Sequence, residues 1–85
     1  MVIEYVYVIK NTSGKIYIGY TKDLRQRLKQ HNLGMNKATK GQKWELIYYE
    51  AYKSSQDARK REKSLKNSGQ AIRWLKDRIK ESLLG

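Results

Sequence analysis

The sequence predicts a small α+β domain in which helices cover a three-stranded antiparallel sheet, in the order β-β-α-β-α-α. Alternating β-branched and aromatic residues at 2–9 and 15–20 flank a polar turn, as in a β-hairpin. The segment 44–52 has a similar composition and supplies the third strand. The remaining segments carry capping residues followed by apolar stripes with helical spacing, so each is expected to form a helix that covers the sheet.

The two predicted hairpin strands differ in what they present on their faces. In the first strand, VIEYVYVI, alternation places Ile3, Tyr5, Tyr7 and Ile9 on one face. A polar NTSG turn then leads into the returning strand, KIYIGY, in which apolar and polar positions also alternate.

Capping residues predict where the helices begin and end. Thr21 is the candidate cap of the first helix, with Asp23 in its first turn, and Gly34 offers a left-handed stop. Ser54 is the candidate cap of the second helix, SQDARKREKSLKN. A last helix is expected over about 70–83, with its apolar residues on one stripe.

Length and composition limit the classes of function. Eighty-five residues are enough for a single domain, 1–85, with one modest core. The chain has no cysteine, which excludes disulfides, thiolate metal sites and a thiol nucleophile. No apolar run approaches the roughly 20 residues of a membrane span, and the first residues lack the basic start of a signal peptide. The expected location is therefore the cytoplasm.

The charge of the chain points to a polyanionic partner. Nineteen Lys and Arg against eight Asp and Glu give a net charge of +11. Such a charge attracts nucleic acid first and an anionic membrane second, because both release counterions on binding. The segment 34–43 has little apolar content, carries several lysines and is expected to form a mobile basic loop. Charge alone does not separate a nucleic-acid-binding protein from an enzyme.

Arg27 and His31 are candidate site residues on the first helix. They lie one turn apart on the flank of the Leu24 and Leu28 stripe, at the seam between helix and sheet. The alternative is structural: an arginine whose stem covers apolar surface and a histidine satisfied by a neighbour. A phosphate nearby would favour the functional interpretation.

Glu62 is the best candidate for a metal ligand. It falls on the helical face of Ala58 and Leu65, where a carboxylate is costly unless it is paired or bound to a metal. The alternative is a surface ion pair with Lys66, one turn further on. A magnesium ion needs only one or two protein carboxylates. The other acidic residues are expected to face solvent, to start helices or to alternate with the tyrosine face of the first strand: Glu45, Glu50, Asp77 and Glu81; Asp23 and Asp57; and Glu4.

Two strand tyrosines and a strand glycine complete the candidates. Tyr7 and Tyr17 lie on neighbouring strands, where they either serve a site or fill a half-buried sheet surface. Gly19 lies inside a strand, which indicates a bulge or a place where another group approaches the backbone closely. A phosphate could be that group.

Together these segments resemble the GIY-YIG nuclease family. Tyr5-Val6-Tyr7 and Tyr17-Ile18-Gly19 resemble the two halves of its signature. The segment TKDLRQRLKQHN resembles the family's helix bearing Arg and His, and DARKREKSLK resembles its glutamate helix. The resemblance spans nearly the whole chain and is strongest to the small single-domain members, which are similar to uncharacterised bacterial proteins and to the incision domain of excision repair.

The resemblance implies a metal-dependent nuclease that acts on DNA. Glu62 would hold Mg²⁺ or Mn²⁺ on the scissile phosphate, and Arg27 would hold a non-bridging oxygen. The implied proton acceptor is Tyr17, His31 or a metal-linked relay, with Tyr17 favoured. The implied catalytic residues are Tyr7, Tyr17, Arg27, His31 and Glu62. The expected nucleic-acid-binding residues are Gly19, Lys22, Lys37, Lys40 and Lys43.

The sequence departs from the family pattern at two positions near the signature, and it lacks a well-aligned equivalent of the late asparagine that some relatives have, for which Asn67 is only a nearby candidate. Tyr5 stands where the signature usually has glycine, and Tyr20 follows YIG where some relatives have lysine. Lys22 is the candidate substitute for that lysine. The identity of the general base is the assignment that these departures affect most.

Three functions stay open at the level of sequence. The leading one is an endonuclease that cuts DNA with low sequence specificity, with RNA as an alternative substrate. The second is a non-catalytic nucleic-acid-binding module. The third is the nuclease subunit of a larger complex, with Trp44, Trp74 and the C-terminal helix at the interface. The oligomeric state is left open between a monomer and a weak dimer.

Overall fold

A computed structural model describes residues 2–85 and confirms the α+β fold class. The elements are β1 Glu4–Asn11, β2 Ile16–Thr21, α1 Leu24–Asn32, β3 Trp44–Tyr52, α2 Ser55–Asn67, α3 Gly69–Arg78 and α4 Lys80–Leu84. The single C-terminal helix expected over 70–83 is wrong, because the backbone leaves the helical conformation at Ile79 (φ −108°, ψ 27°). Ile79 is buried, so the break places its side chain in the core and redirects α4.

The sheet has the order β2-β1-β3, with β1 antiparallel to both neighbours. Tyr7 lies opposite Gly19 on β2 and opposite Tyr49 on β3. A register shift follows Val8 in the pairing with β3. The first strand of the sequence is therefore the central strand of the sheet, and both of its faces are covered.

Two apolar clusters lie on opposite faces of β1. Tyr7 and Ile9 share a face as predicted, and they pack with Trp44 against α1. The other face is buried as completely, because α2 and α3 cover it. Its buried cluster consists of Val6, Val8, Ile18, Ala58, Leu65, Ala71, Leu75 and Ile79. Among the described residues, the central strand supplies four of the eleven buried hydrophobic side chains, more than any other element.

Of the three residues predicted to start or stop a helix, two are confirmed. Ser54 caps α2, and Gly34 ends the α1 turn with a left-handed backbone (φ 76°). The prediction that Thr21 caps α1 is wrong. The cap is Asp23, whose side chain accepts from the N–H of Gln26 at 3.0 Å. Thr21 is buried at the end of β2, where its hydroxyl accepts from the N–H of Asp23.

Gly19 is required by the packing of Tyr7. A Cβ at Gly19 would lie within 3.0 Å of three atoms of the Tyr7 phenol, a separation that real side chains do not show. The group that approaches the Gly19 backbone on the Cβ side is therefore the ring of Tyr7. The second half of the signature ends in Gly19 because only glycine leaves room for the phenol of Tyr7, which ends the first half.

Glu50 was expected to face solvent, and this prediction is wrong. Its side chain is 16% exposed and joins β3 to α2. Its Oε2 accepts from the Tyr48 hydroxyl at 2.7 Å, its Oε1 accepts from the Tyr52 hydroxyl, and Arg61 donates to both oxygens at 2.9 and 3.0 Å. Burial acts to raise the pKa of Glu50, but the hydrogen bonds from Arg61, Tyr52 and Tyr48 outweigh it and lower that pKa. This cluster fixes α2 on the sheet.

Glu4 is a second acidic residue that is withdrawn from solvent. It is 5% exposed at the start of β1, opposite Tyr52. Within residues 2–85, its Oε1 is buried without a hydrogen-bond partner. Nothing in the structure explains this burial.

Replacing Gly19 with alanine is expected to destabilise the protein. The added Cβ must displace the Tyr7 ring from a packed position, which costs about 1–3 kcal/mol. The measurement is the free energy of unfolding by denaturant. The control is Gly69→Ala, because a Cβ at Gly69 meets open space. Equal stability of the two variants would contradict the role of Gly19.

Glu50→Gln is expected to lower stability at neutral pH by about 1–2 kcal/mol, because Arg61 loses a charged partner but keeps some contact with water. The folded-state pKa of Glu50 is lowered. The contribution of Glu50 to the free energy of unfolding is therefore fully present above the ordinary carboxyl pKa. It is lost as pH falls through the lower pKa of the folded state. Unfolding free energies of wild type and variant should converge at acid pH. The control Glu45→Gln changes an exposed residue of the same strand.

Candidate active site

The residues proposed from sequence as catalytic come from four elements and meet beside β2. They are Tyr7 on β1, Tyr17 on β2, Arg27 and His31 on α1, and Glu62 on α2. The fold accounts for the meeting because β2 is an edge strand of the sheet. Side chains from α1 on one face and from α2 on the other can both reach this edge, as His31 and Lys66 do at Tyr17. Tyr7 lies within the electrostatic reach of Arg27, Tyr17 and Glu62, which all affect its pKa.

A buried chain of hydrogen bonds links β1, α1 and the loop after α1. The Tyr7 hydroxyl lies 2.7 Å from His31 Nε2, and His31 Nδ1 lies 2.7 Å from Thr39 Oγ1. Tyr7 is 2% exposed, and His31 and Thr39 are fully buried. The Thr39 hydroxyl is 3.4 Å from the carbonyl of Asn36, which can accept from it. In that arrangement His31 donates from Nδ1 to Thr39, and its Nε2 accepts from Tyr7.

The pKa values of Tyr7 and His31 support this direction of donation. Burial raises the pKa of Tyr7, with further contributions from Tyr17 and Glu62, while the positive charge of Arg27 opposes them. Burial lowers the pKa of His31, and the charge of Arg27 lowers it further. At neutral pH Tyr7 is therefore a protonated donor and His31 is a neutral acceptor.

Thr39 is the member of this hydrogen-bonded series that the sequence analysis did not predict. It lies in the segment 34–43, whose lysines dominate its composition, and no periodicity marks it as buried. The Trp44 indole donates to the Thr39 carbonyl at 2.9 Å, and Asn32 makes two hydrogen bonds with the Trp44 backbone. The basic loop is thus anchored at Thr39 and at its junction with β3.

The prediction that both tryptophans form a partner interface is wrong for Trp44. Trp44 is 7% exposed and belongs to the core, whereas Trp74 is 68% exposed on α3. Trp44 is therefore unavailable to a partner.

Tyr17 occupies the more accessible position of the two signature tyrosines. It is half-buried, and its ring meets His31 edge-on with centroids 5.1 Å apart. Trp44 lies on another side, with centroids 6.4 Å apart. Lys66 Nζ lies 5.3 Å from the centroid of the Tyr17 ring. The ring is fixed by aromatic neighbours and has a cation over one face.

Arg27 lies between the buried chain and a surface cavity. Its side chain is half-buried, and its charge acts on both Tyr7 and His31. With Gln30, Met35 and Asn36, it lines a cavity of about 210 Å³. A guanidinium in this place can present donors to an anion that enters from solvent.

Glu62 shows the ion pair that the sequence offered as its alternative role. Its side chain is 25% exposed, and Oε2 lies 3.3 Å from Lys66 Nζ. In the part of the chain from 2 to 85, no group of three or more acidic or histidine side chains could hold a metal. A single half-buried carboxylate still fits Mg²⁺ or Mn²⁺, because water and substrate phosphate can supply the remaining oxygen ligands.

The lysines expected to bind nucleic acid are exposed. Lys22 follows β2, and Lys37, Lys40 and Lys43 lie on the loop anchored by Thr39. Lys40 and Lys43 line an open cavity of about 360 Å³. Gly19, in contrast, is covered by the Tyr7 ring. Among residues 2–85, no helix has the length and apolar character needed to cross a bilayer.

Comparison with known proteins places this arrangement in a family. Residues 3–77 match the family model described as the GIY-YIG catalytic domain. The chain is 36% identical over 79 residues to UPF0213 proteins of Staphylococcus aureus strains Mu3, Mu50 and N315, with 88% of this chain and 96% of each relative covered. No solved structure matches the chain significantly. Since the family match covers the signature strands, the Arg–His helix and the glutamate helix, the chain belongs to the GIY-YIG catalytic domain family.

Proposed function

We propose that the protein is a divalent-metal-dependent endonuclease that acts in the cytoplasm and hydrolyses DNA phosphodiesters with little sequence specificity. The observation that carries the proposal is the meeting of Tyr7, Tyr17, Arg27, His31 and Glu62 in one place, contributed by four elements. A module that only binds DNA needs basic residues, but it does not need a half-buried carboxylate beside a buried tyrosine–histidine pair.

Tyr17 and Arg27 carry the proposed chemistry on the protein side. Arg27 holds a non-bridging phosphate oxygen and stabilises the charge that develops in the transition state. Tyr17 acts as the base and takes a proton from the attacking water. The water oxygen forms a bond to phosphorus while the bond to the leaving oxygen breaks, and the leaving oxygen receives a proton from solvent.

Tyr7 and His31 hold this machinery in position. Tyr7 is buried, has a raised pKa and donates to a neutral histidine, so it is not suited to accept the proton from water. Tyr17 is more accessible and packs against the same histidine. The buried pair therefore orients Tyr17 and Arg27, and Tyr17 is the better candidate for the base.

Glu62 is the residue that would hold Mg²⁺ or Mn²⁺. When bound there, the ion supplies Lewis-acid polarisation of the scissile phosphate. Mg²⁺ keeps several water ligands in such sites, so a single protein carboxylate suffices. Branched or damaged DNA, as in repair, is the first substrate class to test, because the chain resembles the incision domain of excision repair.

Cleavage of labelled branched, single-stranded and duplex DNA with Mg²⁺ or Mn²⁺ tests the proposed activity. Glu62→Gln and Arg27→Ala are each expected to lower the cleavage rate by about 100-fold or more, because each removes a group that stabilises charge in the transition state. Binding is measured separately by fluorescence anisotropy and is expected to persist in both variants.

The controls are Glu81→Gln and Arg25→Ala, which remove the same charges from exposed positions on α4 and α1. Both should cut at close to the wild-type rate, and a chelator should stop cleavage by every active form. Wild type that binds DNA and cuts none of these substrates with either metal would refute the nuclease and favour the non-catalytic module.

The salt dependence of DNA binding tests the loop lysines. Neutralising Lys37, Lys40 and Lys43 together should weaken binding and reduce the slope of log affinity against log salt by about 2.7, if each contacts one phosphate of duplex DNA. Lys76→Ala with Lys80→Ala is the control, because both lysines are exposed and α3 packs on the sheet face opposite α1. An unchanged slope in the triple variant would remove these lysines from the interface.

A further inference from the structure

Lys66 contacts two residues of the candidate site that come from different elements. Its Nζ lies 3.3 Å from Oε2 of Glu62 on α2. The same atom lies 5.3 Å from the centroid of the Tyr17 ring on β2. Glu62 and Tyr17 are the residues assigned above to the metal and to the proton transfer. The ammonium of Lys66 therefore lies between the two functional ends of the site.

A surface ion pair accounts for only part of this arrangement. Glu62 and Lys66 are one helical turn apart, in the order that favours pairing. Such pairs leave the lysine free to point along its own helix, and they contribute little to stability. Here the side chain also reaches across to a ring of the neighbouring strand, which directs the ammonium to the side of α2 that faces β2 and the site.

The pairing with Glu62 has a consequence for any ion that binds the same carboxylate. A divalent ion that takes Oε2 must replace the ammonium there, because two cations at one oxygen repel each other. Lys66 is then left with its ring contact to Tyr17, and its ammonium, on a side chain that is 43% exposed, donates to water until a stronger acceptor enters. The strongest acceptor that enters the site in this state is an oxygen of the substrate phosphate.

We propose that Lys66 is a phosphate-binding residue of the active site. It is ion-paired with Glu62 until that carboxylate binds a divalent ion, and it then becomes available to the phosphate. This inference rests on the proposed nuclease function. In the free protein Lys66 competes with the ion for Glu62. In the complex with DNA it binds a phosphate oxygen beside Tyr17.

The test compares Lys66→Met with Lys63→Met. Lys63 is an exposed lysine of the same helix, next to Glu62 in sequence, and its replacement removes the same charge. Mn²⁺ binding to the free protein is measured by titration calorimetry without DNA. Cleavage is measured at saturating Mn²⁺ on a substrate that wild type cuts. Lys66→Arg, which keeps the charge, is measured in parallel, and thermal melts confirm that each variant is folded.

The proposal predicts opposite changes in the two measurements. Lys66→Met should bind Mn²⁺ about 2- to 5-fold more tightly than Lys63→Met, because a competing ion pair of this kind has been removed. It should nevertheless cut DNA at least about 10-fold more slowly, because a contact to the phosphate is lost. Lys66→Arg should recover a large part of the cleavage rate. If Lys66→Met fails to fold, Lys66→Gln replaces it.

Three results would overturn the proposal. Lys66→Met and Lys63→Met could agree in both measurements, which would reduce Lys66 to a surface charge. Lys66→Met could bind Mn²⁺ more weakly, which would make Lys66 a support for Glu62 and not its competitor. Lys66→Met could cut at the rate of Lys63→Met despite tighter Mn²⁺ binding, which would exclude the phosphate contact.

A failure of the nuclease proposal gives a different pattern. Wild type would then cut no substrate, while the Mn²⁺ titrations would still compare the two lysines. In that case the phosphate contact is tested by DNA binding in the presence of Mn²⁺. A loss of affinity in Lys66→Met beyond that in Lys63→Met supports the contact, and equal affinities overturn it.

Discussion

The hydroxyl of Tyr7 is buried on the central strand and must be hydrogen-bonded there, and the arrangement of the site follows from that requirement. Its acceptor is His31, which places α1 on this face of the sheet. The ring of Tyr7 lies across Gly19, so the partner strand must have glycine at that position. His31 in turn uses its second nitrogen on Thr39, which holds the basic loop against α1. One buried phenol thus connects two strands, a helix and a loop.

Helix α2 is held on the sheet by polar contacts as well as by apolar packing. Only Ala58 and Leu65 are buried among its residues. The pairing of Arg61 with Glu50 supplies a further anchor on β3. Glu62 follows Arg61 directly, about 100° further around the helix, so the anchor at Arg61 also limits the rotation of α2 that would move the Glu62 carboxylate. Burial of the Glu50 carboxylate has a desolvation cost, but the hydrogen bonds from Arg61, Tyr52 and Tyr48 outweigh it, so the cluster can fix the helix.

The candidate site could be assembled from the sequence in outline but not in its contacts. Periodicity placed Arg27 and His31 at the seam between helix and sheet, and the fold puts them there. It placed Glu62 on an apolar face, and the structure shows a half-buried carboxylate. Thr39 carried no such signal, since it is a single threonine among lysines and glycines. Glu50 was assigned to solvent because alternation along an edge strand does not reveal that an arginine from another helix will meet it.

The sequence by itself determined the fold class, the strands and the extent of α2, because hydrophobic periodicity and capping depend on residues close together in the chain. It also determined the positive charge and the signature that marks the family. Only the tertiary structure decided that the first strand is central, that Tyr7 occupies the space above Gly19, and that Thr39 completes the hydrogen bonds of His31. Each of these depends on residues that are distant in sequence and brought together by packing, so no local pattern can specify them.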